Sequence, residues 1–247
     1  MITKAQVKLI QSLKQPQSRK EHGLYVVEGV KMVDEVLSSN HEVVSVYATS
    51  SWEYSHYTEL SLELVEEWEL ERISSLTTPN KVLAVVKIPI EMPVTNPQNE
   101  LVLLLDQISD PGNMGTIIRT AEWFGINRVV ASDNSVDFWS PKVVQASMGS
   151  VFRMKLNRVN ITDYLNRMND IPVYGTLFDG EELEKASLTS FGIIVIGNES
   201  HGISKEVQSF VTRRLTIKAA LTSESESLNA SIASAIVCYE FRKQYPL

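Results

Sequence analysis

The amino-acid sequence predicts an α/β protein whose C-terminal three-fifths folds around a mostly parallel sheet. Two observations predict it: short, continuously apolar runs recur after residue 100, and helical patterns separate each run from the next. Such runs are typical of strands that helices cover on both faces. The predicted strands are residues 101–106, 128–133, 172–178 and 191–197, and the predicted helices include residues 116–125, 140–149 and 162–168. Ligands of these sheets bind beyond the carboxyl ends of the strands, so the residues after each strand are candidates for a site.

The first 88 residues also alternate helical and strand-like patterns. Val7, Ile10 and Leu13 recur at helical spacing and predict a helix that begins at Lys4. Strands are predicted at residues 24–29, 42–48 and 80–88, with a helix at residues 30–39, whereas residues 51–71 favour no element.

A proline-rich stretch, residues 88–100, separates the two regions. Pro89, Pro93 and Pro97 occur there with almost no apolar periodicity, which is typical of an extended linker. We therefore predict two domains, residues 1–95 and residues 96–247.

Composition indicates a cytoplasmic globular protein. The 247 residues are 43% hydrophobic, yet no stretch approaches the roughly 20 apolar residues of a membrane span, and the N-terminus lacks the apolar block of a signal peptide. The single cysteine, Cys238, excludes an internal disulfide, and its apolar neighbours predict a packed side chain. The net charge of −7 argues against non-specific coating of nucleic acid. Six basic and two acidic residues among the first 31 allow one basic face there, although these charges by themselves favour a solvated helix face.

Polar clusters follow three of the predicted strands. The first leads from Asp106 through a Pro-Gly turn into a helix that contains Arg119. Asn113 can cap or orient the turn, and it meets Arg119, six residues later, only if it stays outside the helix. A capped helix with a surface arginine is an equally good interpretation of this cluster.

The second cluster is a buried strand that opens into a loop with Gly197, Glu199 and Gly202. Backbone amides of such a loop can face a ligand, but the spacing matches neither a Walker A loop nor a dinucleotide fingerprint. His201 has no second histidine nearby in sequence, so we interpret it as a surface side chain and not as a metal ligand or general base.

The third cluster, residues 215–244, comprises a strand, a polar loop and a helix that Ser227 is predicted to cap. An apolar stripe of Leu228, Ile232, Ile236 and Tyr239 predicts that this helix is amphipathic. A flank of small side chains would let the helix lie very close to another element, which favours core packing and a subunit contact equally. The small residues are Ala230, Ser231, Ala233, Ser234 and Ala235.

Together the clusters carry a family resemblance. Residues 110–125 (DPGNMGTIIRTAEWFG), 195–204 (VIGNESHGIS) and 226–240 (ESLNASIASAIVCYE) resemble, in order and spacing, the three motifs of the SpoU (TrmH-like) RNA 2′-O-methyltransferases of the SPOUT superfamily. Residues 11–37 resemble the L30e-like domain that often precedes this core and contacts RNA. The resemblance implies an S-adenosylmethionine-dependent enzyme with a C-terminal trefoil knot, which forms a homodimer, binds RNA and needs no metal.

The resemblance also implies the site residues. The catalytic ones are Asn113, Arg119, Glu199, Ser227 and Asn229. The cofactor would be held by Thr176, Leu177, Gly197, Asn198, Glu199, Gly202, Ile217, Ala219, Leu228 and Asn229. Ribosomal RNA is the expected substrate. Methylation of a tRNA ribose, methylation of a base, and a non-catalytic RNA-binding protein of the same fold are the alternatives.

The chemistry suits these residues. Methyl transfer from a sulfonium needs the ribose oxygen, the methyl carbon and the sulfur in line, and positioning alone can contribute up to roughly 7–11 kcal/mol. The family proposal makes the arginine of the first motif the base, but a guanidinium keeps its proton in proteins. We therefore expect Arg119 to clamp a phosphate. Deletion of residues 1–95 is expected to leave a soluble, cofactor-binding dimer without RNA affinity.

Overall fold

The computed structural model describes residues 1–53, 61–92, 97–168, 170–225 and 227–246. By its internal contacts the chain separates into two compact units. The first comprises Met1–Ile90 and Asp137–Arg153, and the second comprises Glu91–Val136 and Met154–Leu247. Asp137–Arg153 thus packs with the N-terminal part of the chain, although the predicted division after residue 95 assigns it to the C-terminal part. Pro93, in the middle of the predicted linker, lies outside the described residues.

The described elements alternate between helix and strand along most of the chain. The helices are α1 (Lys4–Ser12), α2 (Pro16–His22), α3 (Val30–Leu37), α4 (Glu67–Ile73), α5 (Pro111–Trp123), α6 (Pro141–Ser147), α7 (Ile161–Leu165), α8 (Lys205–Gln208) and α9 (Ala230–Gln244). The strands are β1 (Leu24–Glu28), β2 (Val43–Ala48), β3 (Leu62–Leu64), β4 (Val82–Lys87), β5 (Leu101–Leu105), β6 (Arg128–Ser132), β7 (Lys155–Val159), β8 (Val173–Glu182), β9 (Gly192–Ile196) and β10 (Arg213–Thr216). Among the described residues, no helix has the length and apolar character that crossing a bilayer requires.

The first unit is built on a four-stranded sheet in the order β1-β4-β2-β3. β4 runs antiparallel to both of its neighbours, and β2 and β3 are parallel. Residues 51–71, for which the sequence favoured no element, contribute β3 and the start of α4, while residues 54–60 lie outside the described part.

The segment Asp137–Arg153 is held in the first unit by a buried ion pair and aromatic contacts. Arg19 is 1% exposed, and its Nη2 lies 2.6 Å from Oδ2 of Asp137. The Trp139 ring packs on Tyr25 with a centroid distance of 4.8 Å, and Phe152 meets His41 edge-on at 5.5 Å. Burial of these large side chains explains why the segment joins this unit despite its place in the sequence.

The second unit is built on a six-stranded sheet in the order β10-β8-β9-β5-β6-β7, with every pairing parallel. This confirms the predicted α/β class with a mostly parallel sheet. β7 escaped prediction because Lys155, Asn157 and Arg158 break its apolar pattern, as an edge strand permits. The trefoil knot stays a prediction. The order of the strands makes β10, β8, β9 and β5 consecutive neighbours, and their carboxyl ends carry the three polar clusters.

Candidate active site

The loops that follow β5 and β9 are tied together by side-chain hydrogen bonds. Asp106, which is 2% exposed, accepts a hydrogen bond from the backbone N–H of Ser204 at 2.7 Å. Asn198 Nδ2 donates to the backbone oxygen of Gln107 at 2.8 Å. The first and second polar clusters therefore form one surface beside the carboxyl ends of neighbouring strands.

The helix of the first cluster begins earlier than predicted. Asp110 is the N-cap of α5, and its carboxylate accepts the backbone N–H of Asn113 at 2.8 Å. Asn113 is thus the third residue of the helix, so the condition under which it could meet Arg119 is not fulfilled. Pro111 at the first helical position and an aspartate before it are a recognised start signal, which would have identified Asp110 as the cap.

One hydrogen-bonded cluster joins residues from all three motifs. Asn113 Nδ2 donates to Glu199 Oε1 at 2.6 Å, and Asn229 Nδ2 donates to Asn113 Oδ1 at 2.9 Å. Asn229 Oδ1 in turn accepts the backbone N–H groups of Ser231 and Ile232 at the start of α9. These hydrogen bonds fix the orientation of both side-chain amides. Asn229 Oδ1 must face the start of α9, so its Nδ2 faces Asn113, and Asn113 Nδ2 in turn faces the Glu199 carboxylate. We call Asn113, Glu199 and Asn229 the amide–carboxylate cluster.

The other two predicted catalytic residues lie outside this cluster. Arg119 is exposed on α5, and six helical positions place it about 120° around the axis from Asn113. It forms no hydrogen bond or ion pair with another residue in the described part of the chain.

Ser227 is exposed, and the cap of α9 is Asn229, so the prediction that Ser227 caps the helix was wrong. Asn229 takes that role because its side chain accepts two of the first N–H groups of α9.

Asn229 caps α9 and Ser227 does not, and this difference gives a stability test. We expect Asn229→Ala to lower the free energy of unfolding by about 1–2 kcal/mol, because the helix loses its cap. Ser227→Ala is the matched control and should change it by less than about 0.5 kcal/mol. Urea denaturation of both variants measures the difference. Equal losses would show that Asn229 does not act as the cap in solution.

The predicted cofactor residues lie on adjacent strands and the loops after them. Thr176 belongs to β8, and its Oγ1 donates to the backbone oxygen of Val195 at 3.2 Å. Asn198 and Gly202 exchange two backbone hydrogen bonds of 3.0 and 2.9 Å that close the loop after β9. A Cβ on Gly197 would come within 2.3 Å of the Gly202 carbonyl carbon, so only glycine fits this loop.

Apolar side chains next to these loops are accessible to a ligand. Leu177 and Ile217 are half-buried, Ala219 is exposed, and Leu228 is 48% exposed. Apolar contacts beside backbone amides and carbonyls suit a ligand with an aromatic base and polar ends. These residues therefore fit the adenosine and methionine parts of S-adenosylmethionine, and their role in binding stays a prediction.

Cys238 is buried, and no three His, Cys, Asp or Glu side chains among the described residues group closely enough to hold a metal ion. Burial raises the pKa of the Cys238 thiol to about 12, which suits the packed side chain predicted from the sequence.

Family models match most of the chain. Residues 100–239 match the SpoU rRNA Methylase family, and residues 4–84 match the MRM3-like substrate binding domain. The chain is 28% identical over 229 residues to RlmP of Bacillus subtilis, a 23S rRNA guanosine 2′-O-methyltransferase, with 91% of this chain and 90% of RlmP covered.

Solved structures share the whole fold. A protein from Porphyromonas gingivalis assigned to the TrmH family of RNA methyltransferases is 39% identical with a TM-score of 0.89, and 99% of each chain is covered. An AdoMet-bound rRNA methyltransferase from Sinorhizobium meliloti is 26% identical with a TM-score of 0.86, covering 100% of this chain and 97% of that one.

Proposed function

Because the chain belongs to the SpoU rRNA Methylase family, we propose that it transfers a methyl group from S-adenosylmethionine to a ribose 2′-hydroxyl of ribosomal RNA. The observation that carries this proposal is the amide–carboxylate cluster, in which Asn113, Glu199 and Asn229 meet from three separate motifs. An RNA-binding role for residues 1–95 is supported by the match to a substrate binding domain and by the basic character of the first 31 residues.

The cofactor would be held by residues of β8 and by the loops that follow β9 and β10, and when bound it supplies a methyl group bonded to a cationic sulfur. The work of this chain is to fix the geometry around that methyl group. The side-chain amides of Asn113 and Asn229 are already held by hydrogen bonds to each other and to Glu199. Neither of these two amides therefore has to reorganise when substrate binds. Bidentate hydrogen bonds from the exposed Arg119 guanidinium would fix an RNA phosphate.

A homodimer is part of the proposal. Ile232, Ile236 and Tyr239 on α9 are 52%, 37% and 56% exposed, which favours a subunit contact over core packing for this stripe. Tyr239 packs edge-on against Phe124 at the end of α5, where Trp123 is 82% exposed. An apolar surface that continues across two packed helices suits a second copy of the chain.

The dimer gives a direct test. We expect Ile232→Glu to convert a dimer of about twice 27.7 kDa into a monomer, because an unpaired carboxylate in an apolar interface is costly to bury. Ile90→Glu is the matched control, since Ile90 is 91% exposed outside this surface. Light scattering after gel filtration measures the mass. A dimer that survives Ile232→Glu would exclude this face as the interface.

The function is tested with tritiated S-adenosylmethionine and RNA from a strain that lacks the gene. The proposal predicts label in the ribosomal RNA fraction, at a position that resists alkaline cleavage. Label in the transfer RNA fraction would favour the tRNA alternative, and label at a position that alkali cleaves would favour base methylation. If no methyl group is transferred to any RNA, the result would favour the alternative of a non-catalytic RNA-binding protein. A cytoplasmic place of action stays a prediction.

A further inference from the structure

The Glu199 carboxylate is held by a single side chain. Asn113 Nδ2 donates to its Oε1 at 2.6 Å, and no other group in the described part of the chain donates a hydrogen bond to this carboxylate. One hydrogen bond fixes only the far end of a flexible glutamate side chain, which has several rotamers to choose from. The position of the carboxylate against Asn113 therefore depends on the backbone that carries residue 199.

That backbone is a tight turn at the end of β9. Asn198 and Gly202 close its base with the two backbone hydrogen bonds described above, and Glu199, Ser200 and His201 form the turn between them. Ser200 and His201 are exposed, so burial in a core does not fix the tip of the turn. Hydrogen bonds to the backbone N–H groups of the turn have to do so instead.

The Asn198 side chain supplies these hydrogen bonds and also anchors the turn. Its Oδ1 accepts the backbone N–H groups of Ser200 and His201 at 2.9 and 3.2 Å, as asparagine does in tight turns. Its Nδ2 donates to the backbone oxygen of Gln107 at 2.8 Å. Gln107 lies in the loop that leads into α5, the helix that carries Asn113. One side chain thus shapes the turn of Glu199 and ties it to the segment that carries the partner of Glu199.

Gln107 presents this acceptor oxygen from an uncommon backbone conformation. Its φ of 59° lies in the left-handed region, which residues other than glycine seldom adopt. Its N–H donates to Ser132 Oγ at 3.0 Å, at the end of β6, while its oxygen accepts from Asn198. Side chains from the ends of both neighbouring strands therefore hold Gln107 in this conformation. Backbone strain that is maintained from two sides is typical of functional sites.

We propose that Asn198 is a positioning residue of the methyl transfer, which sets the Glu199 carboxylate against Asn113 by holding the turn on the loop after β5. The family resemblance gives Asn198 a role in cofactor binding. Both polar atoms of its side chain are engaged within the protein, so the side chain acts through Glu199 and not through the cofactor. This inference rests on the proposed function.

The kinetic test uses tritiated S-adenosylmethionine, ribosomal RNA from a strain that lacks the gene, and two variants. Asn198→Ala removes all three hydrogen bonds of the side chain. Asn198→Asp is nearly isosteric and keeps the acceptor for the turn, but it places a carboxylate oxygen against the Gln107 oxygen. We expect both variants to lower the single-turnover rate at saturating cofactor by about 10- to 100-fold, because small misplacements of reacting groups are costly. Cofactor affinity should stay within about threefold of wild type, since the backbone hydrogen bonds to Gly202 remain.

His201→Ala is the matched control. The His201 ring lies 3.3 Å from Asn198 Oδ1, but the backbone N–H that this oxygen accepts is kept when the ring is removed. The variant should therefore transfer methyl groups within about twofold of the wild-type rate. A loss as large as that of Asn198→Ala would overturn the proposal, because the ring and not the turn would then carry the effect.

A second measurement is independent of activity. In NMR spectra of the nitrogen-15-labelled full-length protein, assigned with Asn113→Asp, the Asn113 side-chain amide proton that bonds Glu199 should be shifted downfield and protected from exchange. In both Asn198 variants it should move towards the position of exposed amides, with the thermal unfolding midpoint showing that each variant is folded. If Asn198→Ala does not fold, Asn198→Asp provides both measurements.

Three results would overturn the inference alone while wild-type protein is active. They are an unchanged Asn113 amide resonance in the folded variants, a wild-type transfer rate in Asn198→Asp, and a weakened cofactor affinity with a normal rate at saturation. The last result would show that the Asn198 side chain is a cofactor ligand. A wild-type protein that transfers no methyl group to any RNA overturns this inference together with the proposed function.

Discussion

Replacement of Arg119 by alanine is expected to lower methyl transfer to RNA by about 100- to 1,000-fold. Arg119 is exposed and lies outside the amide–carboxylate cluster, so its loss should leave both the cluster and the cofactor loops intact. Cofactor affinity and the thermal unfolding midpoint should therefore stay at wild-type values. The effect should come from misplacement of the RNA, since a phosphate loses a bidentate partner.

Single-turnover kinetics measure the rate of methyl transfer by Arg119→Ala, and calorimetric titration measures its affinity for the cofactor. Arg119→Lys should also be impaired, because an ammonium does not reproduce the planar fork of a guanidinium. Arg167→Ala, at another exposed arginine of the second unit, is the matched control and should keep full activity. Weaker cofactor binding with normal turnover at saturation would contradict the role of Arg119 as a phosphate clamp.

Deletion of residues 1–95 has the second large expected effect, and the structure changes what the sequence alone predicts for it. The sequence predicts a soluble catalytic fragment. In the structure, Phe138, Trp139 and Phe152 are 1%, 7% and 7% exposed inside the first unit, and deletion removes the residues that bury them. Exposing each of these side chains costs about 1.5–3 kcal/mol. We therefore expect the simple deletion to aggregate.

A designed fragment separates folding from RNA binding. In it, a glycine–serine linker of equal length replaces residues 138–152 in addition to the deletion of residues 1–95. This fragment should be soluble and bind cofactor, while its RNA affinity in filter binding falls at least tenfold. Unchanged RNA affinity would contradict the substrate-binding role of residues 1–95. A soluble simple deletion would contradict the account of how Asp137–Arg153 packs.

The sequence predicted the elements whose patterns are local. β5 and β9 are continuously apolar because helices cover both faces of a parallel sheet, and α3 repeats apolar residues at helical spacing. An element that depends on distant partners was missed, because β7 is a polar edge strand. The start of α5 was placed too late although its signal, Asp110 before Pro111, is local.

The candidate site was predictable in its parts and not in its connections. Family motifs identified Asn113, Glu199 and Asn229, but no spacing in the sequence requires their side chains to meet. Their meeting depends on strand order in the sheet, which sets long-range contacts that local patterns do not encode. The same holds for Asn198, whose side chain reaches the backbone oxygen of Gln107 only because the loops after β5 and β9 are neighbours.

The most direct test of the central claim is a map of alkali-resistant ribose positions in total RNA from cells with and without this gene. The proposed function predicts that one resistant position in ribosomal RNA disappears with the gene and returns when the wild-type gene is restored. It should not return with the Arg119→Ala gene. Identical ribosomal RNA maps in the two strains, under conditions in which the protein is expressed, would contradict the assignment of a ribosomal RNA 2′-O-methyltransferase.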